Sequence, residues 1–317
     1  MSTNTRDREL LVTSIKPKSG HVGSNASYYL FAVPGVALFA LVAGGAFIYN
    51  AYLSFTKWNG LGKPKWIGWE NYQNLVKDST FWASFLHAAE FILAMSIIPT
   101  FLGLLLAALI YDFIATRFGN GISTFLRISL YIPQIIALPV TGILWSWMYS
   151  PNIGIINTLF RKFHLDFLAV NWLGDATYAI IALSIMMVWI QIGYCVVIMV
   201  SGMARLDPSL DEAAQLDGAT WFERFRIITI PQLYPELSIV LLTTTVAALK
   251  VFGPVYVMTS GGPGNATQVP AFFSFFHFFT TQKVGYGAAV ATILAILLSI
   301  LAIGLLRLQN KLGVATK

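Results

Sequence analysis

The chain alternates between long apolar stretches and shorter polar segments. Each of six apolar stretches has at least 23 residues, and about 20 residues allow a helix to cross the hydrocarbon core of a membrane. None alternates apolar and polar residues as a barrel strand does, so helices are the remaining spanning structure. The pattern therefore predicts an all-α polytopic membrane protein with six transmembrane helices. The stretches lie near residues 30–54, 84–111, 125–148, 176–201, 236–258 and 284–306.

The polar segments divide the chain into three predicted regions. Residues 1–29 form a flexible N-terminal tail, residues 30–308 form the transmembrane domain, and residues 309–317 form a C-terminal tail. The largest predicted inner loop covers residues 202–235 and lies between the fourth and fifth stretches. The first apolar stretch is too long for the h-region of a signal peptide.

Composition supports this interpretation and excludes other classes. Hydrophobic residues make up 56% of the chain and charged residues only 11%, with a mean hydropathy of +0.69. Soluble domains carry about 25% charged residues, so a soluble two-domain enzyme, a disordered chain and a coiled coil are all disfavoured. The single cysteine, Cys195, lies within an apolar stretch and excludes an intrachain disulfide.

The distribution of basic residues predicts the orientation. With the N-terminus inside, twelve of the 20 Lys and Arg residues lie on the inner side and seven on the outer side. Inner loops of membrane proteins carry an excess of basic residues, so both termini and the 202–235 loop are expected to be cytoplasmic. The net charge of +6 follows from this bias and does not indicate nucleic-acid binding.

The sequence offers no catalytic, metal or nucleotide motif. It contains no H-E-x-x-H, C-x-x-C or G-x-S-x-G, and we interpret His87 and Glu90 as a polar pair at the interface rather than metal ligands. The glycine-rich segment 260–267 lacks the Lys-Ser/Thr of a phosphate-binding loop. We therefore expect neither a metal site nor ATP hydrolysis in this chain, and a membrane enzyme is disfavoured.

The 202–235 loop contains signals for two short helices. Ser209 and Glu212 have the spacing of a capping box, and Thr220 and Glu223 repeat it. Gly218 between them is a helix terminator. Two helices at a sharp angle are therefore expected at the membrane surface.

The first of these helices is acidic and is expected to dock into a protein groove. Negative charge suits the anionic inner leaflet poorly, although an interfacial helix pair without a partner is the alternative. Its acidic residues are Asp207, Asp211, Glu212 and Asp217.

The same loop reads Glu212-Ala213-Ala214, Asp217-Gly218-Ala219, and then Phe225, Ile228 and Ile230-Pro231. This order resembles the EAA loop of ABC-importer permeases. Other segments resemble the maltose-type sugar permeases across nearly the whole chain. These segments are Trp58-Asn59-Gly60, Gly68-Trp69-Glu70-Asn71-Tyr72, Asn171-Trp172-Leu173, Gly202-Met203-Ala204, Val257-Met258-Thr259-Ser260-Gly261-Gly262-Pro263 and Gly285-Tyr286-Gly287.

The resemblance implies a set of partners in a bacterial or archaeal cytoplasmic membrane. It implies a second, homologous permease subunit, two ATPase subunits that hold ATP and Mg, and an extracellular or periplasmic solute-binding protein. This chain itself would hold no cofactor and contact membrane lipid. Asp211 departs from many relatives, which have an aromatic residue there, and we expect it to add negative charge to the docking helix. The expected ATPase-coupling residues are Glu212, Ala213, Ala214, Asp217 and Gly218.

The predicted solute pathway lies in the fourth and fifth stretches. Aromatic rings suit the apolar faces of sugars, and amides suit their hydroxyl groups. Lys250 is costly within a membrane and either faces a cavity or extends to the interface. Lys250 and Tyr256 can share a pocket only if Gly253-Pro254 breaks the helix. The candidate residues are Trp189, Gln191, Tyr194, Lys250, Phe252 and Tyr256.

The predicted function is that of a permease subunit that carries a carbohydrate, preferably an oligosaccharide. Glycerol phosphate or an acidic sugar is the alternative that Lys250 suggests. An ion-coupled secondary transporter, a different class, would need acidic residues in the middle of its spans. Glu90 and Asp112 instead lie near the ends of predicted spans, which disfavours that class.

Overall fold

The computed structural model describes residues 26–311, and within them the chain is almost entirely helical. Besides helices, these residues form two short antiparallel strands, β1 (Thr56–Lys57) and β2 (Lys65–Trp66). The predicted tails 1–29 and 309–317 lie largely outside the described residues. The first helix begins at Ala26 and the last ends at Lys311, so both helices extend beyond the predicted stretches.

The helices before residue 170 include two that contain π-helical turns. Helix α1 comprises Ala26–Phe39, the π-helical Ala40–Gly44 and Gly45–Ser54. Helix α3 is a 40-residue helix over Ser79–Phe118 with π-helical turns at Leu93–Ile97 and Leu109–Ile114. The other helices are α2 (Glu70–Lys77), α4 (Asn120–Ile135), α5 (Leu138–Met148) and α6 (Ile155–Lys162), followed by a 3-10 turn at Asp166–Leu168.

The helices after residue 170 include two long apolar helices, α7 (Ala176–Met203) and α13 (Val284–Lys311), and the short helices of the 202–235 loop. Helix α9 comprises Trp221–Arg224, the π-helical Phe225–Thr229 and Ile230–Gln232, and α12 comprises Pro270–Phe275 and the π-helical Phe276–Thr280. The others are α8 (Pro208–Leu216), α10 (Tyr234–Leu249) and α11 (Gly253–Met258).

Five segments within residues 26–311 are long and apolar enough to cross a membrane, and a sixth counts if α4 and α5 form one span. The third predicted stretch, near residues 125–148, is interrupted, because α4 and α5 meet at an angle of 98°. Ile136 and Ala137 have ψ angles of 133° and 131°, which are extended values. Pro139 has no N–H and therefore fits the first turn of α5.

The fifth predicted stretch is also interrupted, as the pocket hypothesis requires. Helix α10 ends at Leu249 and α11 begins at Gly253. The N–H of Lys250 donates to the carbonyl of Ala247 at 3.2 Å, and the N–H of Val251 donates to that of Ala248 at 3.2 Å. The freed carbonyl groups at the end of α10 are thus satisfied locally.

The two interrupted spans pack against each other near their breaks. A Cβ on Gly253 would lie 3.1 Å from Cγ of Pro139, and one on Gly142 would lie 3.3 Å from Cγ of Met258. Helices α5 and α11 are therefore in close contact. Irregular backbone at membrane depth is tolerated where protein surrounds it, and this packing provides such surroundings.

The chain divides into two units, residues 1–49 and residues 50–317. In the first, residues 31–49 of α1 are apolar and exposed for most of their length, as a lipid-facing helix is. In the second, α7 is the central helix, with contacts to α3, α4 and α10. Small residues allow the closest of these contacts.

Gly193 marks the closest approach of α7 to α4. A Cβ at this position would overlap the carbonyl oxygen of Leu130. Gly193→Ala should therefore force the helices apart and lower the free energy of unfolding by about 1–3 kcal/mol. The measurement is the thermal unfolding midpoint of the detergent-purified protein. Gly304→Ala is the control, because no atom lies within 4 Å of a Cβ there; equal midpoints for the two variants would contradict the proposed packing.

Candidate functional site

The first helix of the 202–235 loop is capped by a residue other than the predicted one. A carboxylate oxygen of Asp207 accepts a hydrogen bond from the N–H of Ser209 at 3.0 Å. This bond holds the pKa of Asp207 below its ordinary value. The predicted Ser209–Glu212 capping box is wrong, because Pro208 occupies the first helical position and makes Asp207 the N-cap.

The second capping box and the glycine turn are confirmed. The carboxylate of Glu223 accepts from the N–H of Thr220 at 2.7 Å, and the N–H of Glu223 donates to the Thr220 hydroxyl at 3.4 Å. Gly218 has a φ of +79°. The N–H of Gly218 donates to Gln215 and that of Ala219 to Ala214, which is the Schellman arrangement that ends a helix.

The predicted coupling residues lie at the surface of the loop. Glu212, Ala213, Asp217 and Gly218 are exposed and Ala214 is half-buried. No residue of α8 is buried. The helix therefore presents small and acidic side chains together on an accessible surface.

Asp211 holds the two loop helices together. Its carboxylate accepts from Nε of Arg224 at 2.8 Å and from Nε2 of Gln215 at 2.7 Å. A second guanidinium nitrogen of Arg224 donates to the carbonyl of Ala219 at 2.9 Å. The negative charge that Asp211 was expected to add to the docking helix is therefore held in an ion pair with Arg224 within the loop.

The loop also contacts α3, which sequence reasoning missed. Nε1 of Trp221 donates to the Asp112 carboxylate at 2.8 Å. A cleft of 510 Å³ lies between this end of α3 and the two loop helices. Asp112 was noted only as an acid near the end of a span, and its separation of 109 residues from Trp221 leaves no local sequence signal for the pair.

An ion pair joins the two ends of the loop. Arg205, just after α7, pairs with Glu236 in the first turn of α10. Glu236 is buried and Arg205 is exposed. A Cβ on Gly202 would collide with the side chain of Glu236, so glycine at this position allows α10 to approach α7.

The candidate pathway residues on α7 have different environments. Trp189 is 42% exposed and its ring lies 5.5 Å from that of Trp145, whereas Gln191 is only 6% exposed. The hydroxyl of Tyr194 is 3.1 Å from that of Thr243 on α10. Tyr194 therefore contacts the interrupted span at a point about 10 Å along the helix from Lys250.

The candidate residues near the second break are closer to one another. Lys250 is exposed directly after α10. The rings of Phe252 and Tyr256 stack at 5.4 Å, and both contact Phe275 on α12, whose ring lies 5.0 Å from that of Phe279. We call these four residues the aromatic surface. Phe275 and Phe279 were missed, although the segment 270–280 is visibly rich in phenylalanine.

A polar cleft of 700 Å³ lies between the β1–β2 hairpin, α2 and the start of α13. The Tyr286 hydroxyl donates to Asp78 at 2.7 Å, and Asp78 also caps α3 through the N–H of Thr80. Burial alone would raise the pKa of Asp78, but these hydrogen bonds outweigh it and lower the pKa. Burial also lowers the pKa of His277, with a contribution from Lys283.

The histidine that raised the question of a metal site has a protein partner. Nδ1 of His87 is 2.9 Å from the carbonyl oxygen of Gln268. Within residues 26–311, no group of three or more His, Cys, Asp or Glu side chains is arranged to hold a metal ion.

Comparison with known proteins defines the class of this chain. Residues 113–312 match the family of inner membrane components of binding-protein-dependent transport systems. The chain belongs to this family: it is a multi-pass component of the inner membrane that serves transport. Its fold and its EAA-type loop agree with that membership, and the maltose-type resemblance is confirmed at the level of sugar-type ABC permeases.

Individual relatives support the same classification. A probable ABC transporter permease of Pyrococcus horikoshii is 34% identical over 84% of this chain and 90% of its own length. A trehalose/maltose transport system permease of Thermococcus litoralis is 31% identical over 74% of this chain and 76% of its own. A bacterial ABC transporter involved in import of the acidic polysaccharide alginate has the same fold, with a TM-score of 0.77, 18% identity, and coverage of 92% and 97%.

Proposed function

We propose that this chain forms half of the translocation pathway of an ATP-driven importer for a carbohydrate, preferably an oligosaccharide. The observation that carries the proposal is the exposed helix α8, which ends in the glycine turn at Gly218 and is fixed by its caps and by Arg224. Such a helix suits docking into a groove of a separate subunit. The proposed partners are two ATPase subunits that bind ATP and Mg, which dock on the loops of this chain and of the second permease subunit.

The mechanism follows from differential binding. ATP-driven closure of the ATPases moves the docked loops, and a loaded solute-binding protein on the outer side favours the same state of the pathway. Each ligand shifts the equilibrium only as far as it binds one state better than the other. In this proposal the chain supplies one half of the pathway, and a second, similar permease subunit supplies the other half.

The aromatic surface is the proposed place of solute contact. Tyr256 and Phe279 are 47% and 67% exposed, and stacked rings next to a broken helix provide the apolar faces that sugars bind. The Thermococcus litoralis relative is named for trehalose and maltose, which supports a neutral oligosaccharide. Exposed Lys250 next to this surface supports an acidic sugar as the second candidate.

The proposed orientation places both termini and the 202–235 loop in the cytoplasm. The basic-residue bias predicts that an impermeant thiol reagent labels Lys77→Cys in intact cells and Asp217→Cys only after permeabilisation. Cys195 is buried and should remain unlabelled. Labelling of Asp217→Cys in intact cells would reverse the orientation.

Single substitutions in the loop should impair docking of the ATPase and leave membrane insertion intact. Glu212→Ala should weaken association with the ATPase, and Gly218→Val should distort the turn because a β-branched residue resists a φ of +79°. Each should lower receptor-stimulated ATP hydrolysis by about tenfold while the chain still inserts and assembles with the second permease. Co-purification of the ATPase and hydrolysis in vesicles are the measurements.

Two matched variants serve as controls for the loop experiment. Gly218→Asn should retain most activity because Asn tolerates positive φ. Asp166→Ala removes an exposed acid far from the loop in sequence and should have no effect. Wild-type ATPase association and stimulation in both Glu212→Ala and Gly218→Val would show that α8 is not the coupling element.

Substitution of the pathway residues should impair transport in an intact complex. Gln191→Ala, Lys250→Ala and Tyr256→Ala should each lower solute uptake, by about tenfold where a stacking ring or a charge contacts the solute. Phe101→Ala, which removes an exposed ring from α3, is the control. The measurement is the uptake of a panel of neutral and acidic sugars. A loss confined to acidic sugars in Lys250→Ala would favour the second candidate. Wild-type uptake by all three variants would place the pathway elsewhere.

A further inference from the structure

The hydrogen bond between Asp112 and Trp221 joins the coupling loop to a helix to which it is not covalently connected. The loop follows α7 and precedes α10 in the chain, whereas Asp112 lies in the last π-helical turn of α3. The indole N–H of Trp221 is 2.8 Å from a carboxylate oxygen of Asp112. Hydrogen bonds to ionised groups are about twice as strong as neutral ones, so this is a substantial noncovalent attachment.

Packing fixes the orientation of this hydrogen bond. The Trp221 ring stacks on Phe225 at 5.1 Å with an interplanar angle of 11°, and Phe225 is buried. On the other helix, the ring of Phe113 lies 5.5 Å from the Trp221 ring. The indole is thus held by an aromatic residue of its own helix and by one of α3.

Arg224 connects this attachment to the docking helix. It lies one turn after Trp221 on α9, and it binds Asp211 on α8 and the carbonyl of Ala219 in the connecting turn. The Arg224 side chain is only 18% exposed. These contacts therefore connect α8 to α9 and, through Trp221, to α3.

The other half of α3 contacts the interrupted span. The hydroxyl of Ser96, in the first π-helical turn of α3, is 2.9 Å from that of Thr245 and accepts from that of Thr244 at 2.8 Å, both on α10. Ser96 lies about 24 Å along the helix from Asp112. Helix α3 thus contacts the loop near one end and, nearer its other end, the helix that ends just before Lys250.

We propose that Asp112 and Trp221 are positioning residues that make the coupling loop and α3 move as one body during the transport cycle. This inference rests on the proposed function of the loop. A contact that only stabilised the fold would affect assembly and thermal stability, whereas this attachment should determine how much solute is moved per ATP hydrolysed.

The first test measures uptake per ATP hydrolysed in vesicles that contain the complete complex. Trp221→Phe keeps the ring but removes the donor, and Asp112→Ala removes the acceptor. Each should lower the ratio by about tenfold, as the loss of one hydrogen bond to a charged group does, with ATPase association and stimulated hydrolysis retained. The double variant should be no worse than either single variant, since both remove one interaction.

Two further variants define the specificity of this effect. Asp112→Asn keeps an acceptor for the indole and should retain most of the ratio. Thr116→Val removes a hydroxyl from the same cleft that bonds only to carbonyl groups of its own helix, and it should leave the ratio unchanged. A wild-type ratio in both Trp221→Phe and Asp112→Ala would overturn the inference, as would a decrease in Thr116→Val equal to theirs.

A covalent replacement of the hydrogen bond provides the second test. The double variant Asp112→Cys, Trp221→Cys should be uncoupled, and a short bifunctional thiol reagent that joins the two cysteines should restore uptake per ATP. Buried Cys195 provides no competing thiol. An uncoupled complex after complete cross-linking, as verified by mass spectrometry, would show that α3 and the loop must separate during the cycle.

The unmodified complex distinguishes the two proposals. If it shows no ATPase association and no receptor-stimulated hydrolysis, the proposed function fails and this inference fails with it. If the unmodified complex is coupled and the Asp112 and Trp221 variants are coupled equally well, only this inference fails.

Discussion

The structure depends on one constraint: a backbone polar group cannot remain unpaired in the hydrocarbon of a membrane. The chain meets this constraint with long helices, which are interrupted at two places, between α4 and α5 and between α10 and α11. At both places a proline without an N–H lies in the first turn of the next helix, and nearby carbonyl groups accept local hydrogen bonds. Because α5 packs on α11, each break is covered partly by the other. The interruption also leaves Lys250 exposed and orders the aromatic surface next to it.

The 202–235 loop meets a different requirement, since helices as short as α8 are marginal in isolation. Asp207 caps its start, the turn at Gly218 satisfies its end, and Asp211 fixes it to α9 through Arg224. These interactions lie within the loop. They stabilise α8, and none of its residues is buried. A rigid helix with an accessible surface can transmit a displacement, whereas a flexible loop would absorb it.

The 202–235 loop and the proposed place of solute contact lie in different parts of the chain. The family match covers residues 113–312, which include the loop and the spans from α4 onwards. The aromatic surface and Lys250, the proposed place of solute contact, lie at the second break, after the loop in the chain. The relatives differ in the solutes they are named for, trehalose and maltose in one and an acidic polysaccharide in another, although they share this fold.

The sequence by itself determined the helical class, the approximate spans, the position of the 202–235 loop and its second capping box, because these depend on local periodicity and on residues a few positions apart. The helix break before Gly253-Pro254 was likewise predictable from the conformational limits of proline and glycine. Tertiary structure decided the 98° bend between α4 and α5, the pairing of Asp211 with Arg224 and the contact of Asp112 with Trp221. The ion pair and the contact join groups 13 and 109 residues apart, and such partners are selected by helix packing, which no local pattern encodes.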